Sequence, residues 1–157
     1  MEYIFLPPDQ CTAQQIDDFQ RLAIKGRQVQ AAGLGKRILS AFLLGFVYED
    51  SILISIGALK NPSPNHRSEV FSSAGVADLM TKYPGEAGWA FTEPDFRGKG
   101  IHSNVLSQLL AHSPTNVYAT TKAVNVPKIL TSLGFTEAGR PYNNRTGELL
   151  RLFTFDR

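Results

Sequence analysis

Two closely spaced glycines, Gly98 and Gly100, connect a strand-like run to an amphipathic helix. The run from Glu86 to Thr92 is rich in apolar and aromatic residues and is stopped by Pro94, which is typical of a strand. After the second glycine, apolar residues recur on one helical face, at positions 101, 105, 106, 109 and 110. This order of residues predicts a strand, a tight turn and a helix.

Glycines at a strand-to-helix turn allow the backbone to approach a ligand closely. The first N–H groups of a helix have no acceptor within the helix, and with the helix dipole they favour phosphate or pyrophosphate. Arg97 and Lys99 add positive charge to the segment from Pro94 to Ser103. The segment therefore predicts a phosphate-binding turn, and a glycine-rich turn without a ligand is the alternative.

Two common phosphate-binding motifs do not fit the chain. A dinucleotide-binding fold requires a third glycine and an acidic residue on the next strand, but Ser103 takes the glycine position and residues 118–122 contain no acid. A P-loop requires a glycine five positions before Gly35, where this chain has Gln30, and a hydroxyl residue at the position of Arg37. These departures exclude both motifs.

The segment resembles the acetyl-CoA motif of the GNAT superfamily of N-acetyltransferases, [Q/R]-x-x-G-x-[G/A]. Arg97-Gly98-Lys99-Gly100-Ile101 carries the match, and Pro94 and Phe96 stand where that family often has a proline and an aromatic residue. Two positions depart from the pattern, since Thr92 replaces a valine and His102 replaces the final glycine or alanine. The specific part of the resemblance is therefore a short motif.

A second match lies downstream, where Leu133-Gly134-Phe135 is similar to the family's closing helix and strand. The order of predicted elements also agrees from Tyr3 to Phe155. The resemblance implies a mixed α/β (α+β) fold, with a mostly antiparallel central sheet flanked by helices and splayed at the acetyl-CoA site. It implies a single N-acetyltransferase domain over residues 1–157.

The resemblance also implies a set of residues that contact acetyl-CoA as the acyl donor. The pantetheine arm is expected along the strand residues Ala90, Phe91 and Thr92. The pyrophosphate is expected at the turn and the first helical residues, where the helix N-terminus independently predicts an anion: Arg97, Gly98, Lys99, Gly100, Ile101, His102 and Ser103. Asn125 is a further candidate contact, near but out of register with an asparagine common in the family, whose position is Ala123 here.

Acetyl transfer to an amine needs a base, and an acid for the departing thiolate. Glu86 lies eleven positions before Arg97, similar to the placement of the glutamate base in the histone-acetylating branch of the family. A solvent-exposed acid at a strand end is the alternative. The family's usual acid is a tyrosine at the position of Leu130. The expectation is therefore that Tyr118 or Tyr142 supplies the proton, or that the thiolate leaves without a dedicated acid.

The resemblance thus implies an acetyl-CoA-dependent N-acetyltransferase acting on a small-molecule or peptide amine, by direct attack in a ternary complex. A non-catalytic CoA-binding or protein-interaction module on the same fold is the alternative, since the usual tyrosine is absent. The acceptor stays open, because acceptor pockets are built from variable loops such as Asn61 to Ser73. Lys60, just before that loop, and His66 and Arg67 within it are candidates for binding an anionic group, although a solvated loop is the simpler interpretation.

Composition narrows the function classes further. Sixteen basic residues against fourteen acidic ones leave a net charge of +2, too balanced to predict binding to nucleic acid or to a membrane surface. One cysteine and three histidines show no metal-ligand spacing, so no metal site is expected. The N-terminus lacks the pattern of a signal peptide, and we expect a cytoplasmic protein. Late edge strands would allow a homodimer.

The remaining elements follow from local patterns. Thr12 and Gln15 form a capping-box pattern before a helix that reaches about Gly26. The runs Ala41 to Tyr48 and Ile52 to Leu59 predict an antiparallel hairpin. Residues 28–37 show no clear period and are predicted as loop or short helix. The other predictions are strands at 3–6, 117–121, 135–139 and 149–155, helices at 76–83 and 127–133, and a loop at 61–73.

Overall fold

The computed structural model describes residues 1–26, 31–122 and 124–157. Its α-helices in these ranges are α1 (Ala13–Lys25), α2 (Leu34–Leu39), α3 (Pro64–Ser73), α4 (Ile101–Ala111) and α5 (Val126–Ser132). Its strands are β1 (Glu2–Leu6), β2 (Leu43–Glu49), β3 (Ile52–Lys60), β4 (Gly85–Thr92), β5 (Val117–Thr121), β6 (Thr136–Asn143) and β7 (Leu149–Phe155). A 3₁₀ turn covers Ala77–Lys82.

The chain divides into two compact units. The first unit contains residues 1–61 and 87–112, and the second contains residues 62–86 and 113–157. Strand β4 contributes its first two residues to the second unit and the others to the first. The expectation of a single domain over the whole chain stays a prediction.

The first unit is built on the antiparallel strands β1, β2 and β3, followed in the strand order by β4. Helices α1 and α4 pack against β3. The approach of α4 is close, since a Cβ built on Gly57 of β3 would lie 2.8 Å from Cγ1 of Val105. The apolar core includes Phe19, Leu22, Phe46, Ile56 and Trp89. This packing fixes the position of α4 and therefore of its N-terminal turn.

In the second unit, the start of β4 pairs in parallel with β5, at Gly85 with Val117 and at Glu86 with Tyr118. Strand β5 is antiparallel to β7, and β7 is antiparallel to β6. The core of this unit consists of Val70, Phe71, Ala74, Tyr83, Tyr118 and Leu152. The sheet is thus mostly antiparallel with flanking helices, and the predicted fold class is confirmed. The predicted splay at the acetyl-CoA site stays a prediction.

The prediction of a loop over residues 61–73 is wrong, because Pro64–Ser73 forms helix α3. Ser63 caps this helix by accepting the backbone N–H of His66 at 3.1 Å, and Pro64 occupies the first helical turn, where its missing N–H has no acceptor to lose. The prolines of this segment favour a loop, whereas in the structure Pro64 is the first residue of a helix. The buried residues of this helix, Val70 and Phe71, are adjacent in sequence. The helix therefore lacks the repeated apolar spacing that predicts an amphipathic helix.

Smaller differences concern element ends. The region 28–37 was predicted without a definite element, and the structure places α2 from Leu34, while residues 27–30 lie outside the described residues. Strand β6 continues four residues beyond Gly139, because its pairing with β7 resumes at Tyr142 after a register shift. Among the described helices, none combines the length and apolar character needed to cross a membrane.

Candidate functional site

The turn before α4 has an open backbone surface. Gly98 and Gly100 both have positive φ angles, +78° and +75°, and no described atom beyond their two chain neighbours lies within 4 Å of a Cβ built on either. Gly100 is the N-cap of α4, and its carbonyl accepts the N–H of Asn104 at 3.0 Å. The N–H groups of residues 101–103 therefore have no acceptor within the helix. This geometry suits a phosphate group that needs several donors and close access to the backbone.

Arg97 fastens this turn to the end of β4. Its Nε donates to the carbonyl of Thr92 at 2.9 Å, and its guanidinium lies 5.5 Å from the ring centre of Phe91. Lys99 extends over the ring of Phe96 at 5.2 Å. Both cations lie on the exposed side of the turn. They add positive potential beside the free amides, so the residues present fit a pyrophosphate.

Ser55 on β3 holds the end of β4 from the other side. Its hydroxyl donates to the carbonyl of Phe91 at 2.9 Å and pairs with the hydroxyl of Thr92 at 2.8 Å. Ser55 and Thr92 are both buried. The sequence analysis missed Ser55, although a serine within an apolar strand run was a signal, because a buried hydroxyl requires a partner. Thr92, at the position of the expected valine, serves as this partner.

Trp89 gives β4 an irregular backbone. Its φ angle is +51°, in the left-handed region that non-glycine residues rarely adopt. Its buried side chain packs edge-on against Phe19, with ring centres 6.1 Å apart, and Nζ of Lys60 lies 5.0 Å from the ring centre. Such a conformation costs on the order of 1–3 kcal/mol, which the core packing of the indole offsets. Ala90 and Phe91, the predicted pantetheine contacts, follow directly and are half-buried.

His102 lies in the first turn of α4 and is half-buried. Burial lowers the pKa of its imidazole from the ordinary value. The positive end of the helix dipole also disfavours a cation at this place. The side chain is therefore neutral at neutral pH.

In the second unit, Glu86 is at the centre of a polar cluster. Its side chain is buried, with 5% of the residue exposed, which excludes the interpretation as a solvated strand-end acid. The hydroxyl of Tyr118 donates to Oε2 of Glu86 at 3.0 Å, and Nε2 of His66 lies 3.4 Å from the same oxygen. The parallel register places Glu86 opposite Tyr118, so both side chains lie on one face of the sheet. A buried carboxylate with a phenol and an imidazole is a suitable proton acceptor.

The two tyrosines of the cluster differ in the hydrogen bonds of their buried hydroxyl groups. Tyr118 is fully buried, and burial together with the charge of Glu86 holds the pKa of its phenol well above the ordinary value. Tyr142 is half-buried, and its hydroxyl makes no hydrogen bond within the described residues. Burial, followed by the charges of Glu86 and Glu69, raises the pKa of Tyr142 to about 12. Both phenols therefore keep their protons at neutral pH.

Comparisons with known proteins give matches only among solved structures, since no family model and no curated protein matches the chain. ElaA of Escherichia coli matches with a TM-score of 0.73 at 13% identity, over 99% of each chain. A GNAT-family acetyltransferase of Streptococcus agalactiae matches with a TM-score of 0.68 at 16% identity, over 99% of this chain and 95% of that one. A structure of yncA from Salmonella typhimurium with its cofactor acetyl-CoA gives 0.64 at 16% identity, over 99% and 93%.

The chain has the GNAT fold. The fold expected from the motif at Arg97–Ile101 is thereby confirmed. Leu130, at the position where the GNAT family usually has a tyrosine, is buried in α5 with 1% of it exposed. Leu130 therefore serves packing, and whether Tyr118 or Tyr142 supplies a proton or the thiolate leaves without a dedicated acid stays a prediction.

The predicted residues of the GNAT site fall into two groups. Residues 90–92 and 97–103 lie together in the first unit, at the end of β4 and the start of α4. Glu86, Tyr118 and Tyr142 lie in the second unit, where Tyr118 contacts Glu86 directly. Asn125 is the exposed N-cap of α5, without a side-chain hydrogen bond at the cap, and its contact with a cofactor stays a prediction. Within the described residues, no group of three or more potential ligands could hold a metal ion.

Proposed function

We propose that this chain is an N-acetyltransferase that transfers the acetyl group of acetyl-CoA to a primary amine by direct attack. The observation that carries the proposal is the turn at Gly98 and Gly100, with its open backbone and free helix amides. The GNAT fold, and a structural neighbour that contains acetyl-CoA, support the same assignment. Binding of the donor and acceptance of the amine's proton can each be given to residues of this chain.

The acyl donor is assigned to the first unit. The N–H groups of residues 101–103 would bind the pyrophosphate, and the positively charged turn would add attraction. The backbone of residues 90–92 would bind the pantetheine arm and polarise the thioester carbonyl. When bound, acetyl-CoA supplies the acetyl group as a thioester whose carbonyl carbon is open to attack. Holding both reactants in place contributes much of the rate in such a reaction.

The proton of the amine is assigned to Glu86. The amine attacks in its neutral form, after its ammonium ion has lost one proton to water. As the nitrogen forms its bond to the carbonyl carbon and the carbon–sulfur bond breaks, one N–H proton passes to the carboxylate of Glu86. His66, 3.4 Å from that carboxylate and half-exposed, is placed to pass the proton on to water. Glu86 thereby returns to its ionised form after each turnover.

Neither phenol transfers a proton in this proposal. Tyr118 has its hydroxyl engaged with Glu86 and no exposed surface, so it is a positioning residue for the base. Tyr142 keeps its proton at neutral pH because its pKa is raised to about 12, and its hydroxyl oxygen is buried, so we assign it no proton transfer. The sulfur leaves as a thiolate without a dedicated acid and takes a proton from water. Free coenzyme A and the acetylated amine then leave.

Tyr118→Phe is expected to move the acidic limb of the pH–rate profile upward by about one unit. The lost O–H donor stabilises the ionised carboxylate of Glu86, and a hydrogen bond to a charged group is worth roughly 1.5–3 kcal/mol. Without it, Glu86 needs a higher pH to ionise. Tyr83→Phe is the matched control, since Tyr83 shares the same core but its hydroxyl donates to Asp156. If Tyr118→Phe has a lower melting temperature but the same acidic limb in its pH–rate profile, the role of Tyr118 is packing alone.

His102→Gly is expected to change the Kd for coenzyme A by about tenfold or less, equivalent to roughly 1.4 kcal/mol. The backbone N–H at this position remains as a donor, and the imidazole it removes is neutral because burial lowers its pKa. Isothermal titration with coenzyme A at neutral pH measures the change. A loss of more than about a hundredfold would assign the imidazole itself a direct contact with the phosphates.

The proposal is tested by incubating the protein with acetyl-CoA and a panel of primary amines. Thiol release and a mass gain on the amine, in equal amounts, are the expected result. A non-catalytic CoA-binding module is the second candidate, and the absence of the family's tyrosine at Leu130 favours it. That candidate predicts saturable coenzyme A binding without amine acetylation. Absence of coenzyme A binding would overturn both.

A further inference from the structure

Arg67 on α3 has a buried guanidinium nitrogen, Nε, without a hydrogen-bond partner among the described residues. Arg67 follows His66, and Nε2 of His66 lies 3.4 Å from Glu86. The positive charge of Arg67 also acts on Tyr118, where it opposes the other influences that raise the pKa. The guanidinium therefore belongs to the cluster around Glu86.

Four other cations of this unit are paired with carboxylates. Nε of Arg145 donates to Glu69 at 2.9 Å, and Arg151 donates to Glu137 at 2.8 Å. Lys82 and Lys122 pair with Asp156 and Glu148. Glu69 is on the same helix as Arg67 but is engaged by Arg145, so it does not neutralise Arg67. A buried N–H without an acceptor costs stability, and such groups are rare in folded proteins.

We propose that Arg67 binds an oxyanion of the acceptor, so that the acceptor is a small amine that also carries a carboxylate or phosphoryl group. This inference rests on the proposed function, since it uses the cluster around Glu86 as the acceptor's site. The planar guanidinium offers donors in a geometry that matches both kinds of oxyanion. His66, whose Nε2 lies 3.4 Å from Glu86, directly precedes Arg67 on α3. Short amines that carry an oxyanion are therefore the acceptors to test first.

Charge balance favours the same class of acceptor. An amine arrives mainly as an ammonium ion, which Glu86 attracts and Arg67 repels. A simple alkyl amine would leave Nε of Arg67 without a hydrogen-bond acceptor. An amine with an oxyanion would bring an acceptor and a negative charge to Arg67. Specificity for such acceptors follows, because the wrong acceptor leaves a buried polar group unpaired.

The test compares acceptors that differ only in the anion. β-Alanine is paired with β-alaninamide, and phosphoethanolamine with ethanolamine, so that the carboxylate and phosphoryl sources are separated. The protein is expected to acetylate at least one anionic member with a kcat/KM at least about tenfold above its neutral counterpart. Arg67→Gln is expected to raise the KM for that acceptor by about 10- to 100-fold with little change in kcat. Arg67→Lys should restore part of the loss.

Two controls make the result specific. Arg21→Gln removes the same charge from the exposed face of α1 and should leave every KM unchanged. The KM of Arg67→Gln for β-alaninamide and ethanolamine should stay the same or fall, because the variant loses a charge that repels an ammonium ion. Equal use of anionic and neutral acceptors by the parent, or an equal loss on both in Arg67→Gln, would overturn the inference.

Binding without turnover separates this inference from the proposed function. The ¹⁵Nε–¹H resonance of Arg67 in the parent protein is followed during titration with β-alanine and phosphoethanolamine. A saturable shift with an anionic ligand, and none with its neutral counterpart, supports the oxyanion site even if no amine is acetylated. If the protein acetylates neutral amines and the Arg67 resonance does not move, the proposed acetyltransferase function stands and the proposed oxyanion site is wrong.

Discussion

Gly100→Val is expected to weaken coenzyme A binding by at least about a hundredfold, or roughly 2.7 kcal/mol. At φ +75° a β-branched residue is strained, and its side chain would occupy the open space through which a phosphate reaches the free amides of α4. Both effects act on the same turn. Isothermal titration with coenzyme A measures the loss.

The chain offers a close control for this change. Gly33 is the N-cap of α2 with a φ angle of +71°, and no described atom beyond its two chain neighbours lies within 4 Å of a Cβ built there. Gly33→Val therefore introduces the same strain at a helix start without a proposed ligand, and the Kd for coenzyme A should not change. If folded Gly100→Val binds coenzyme A as the parent does, the turn is not the acyl-donor site.

Glu86→Gln is expected to lower the rate of acetyl transfer by about 10² to 10⁴ while the Kd for coenzyme A stays the same. The amide keeps the volume of the side chain, and its oxygen can still accept the hydroxyl of Tyr118, so the cluster should stay folded. What it loses is the capacity to accept the amine's proton. Steady-state kinetics with a fixed amine measures the effect.

Glu137→Gln is the control for Glu86→Gln, because Glu137 lies in the same unit but pairs with Arg151 on the exposed face of β6 and β7. Its turnover should equal that of the parent protein. Normal turnover of Glu86→Gln at neutral and slightly acidic pH would show that Glu86 is not the base.

The sequence predicted those parts of the fold that local patterns determine. The capping box at Thr12 and Gln15 is present, with both of its hydrogen bonds. The hairpin of β2 and β3 pairs as expected. Helix α4 starts after Gly100 because a glycine with positive φ can end the turn where bulkier residues cannot. Each of these signals lies within a few residues of the structure it predicts.

The sequence could not predict contacts that need the tertiary fold. The bond between Tyr118 and Glu86 depends on a parallel register between strands 32 residues apart. Helix α3 brings His66 to Glu86. The helix is hard to predict from the sequence, because it begins at a proline and its apolar residues do not recur at helical spacing. The positive φ of Trp89 also has no local signal, because core packing and not the residue type imposes it.

The central claim is that the turn before α4 binds acetyl-CoA through its backbone amides. The most direct measurement is a titration of ¹⁵N-labelled protein with acetyl-CoA, followed at the amide resonances of Gly98, Gly100 and residues 101–103. The account predicts saturable shifts at these amides, all described by one Kd. Resonances in the turn that stay unmoved at millimolar acetyl-CoA, or saturable shifts confined to other parts of the chain, would contradict it.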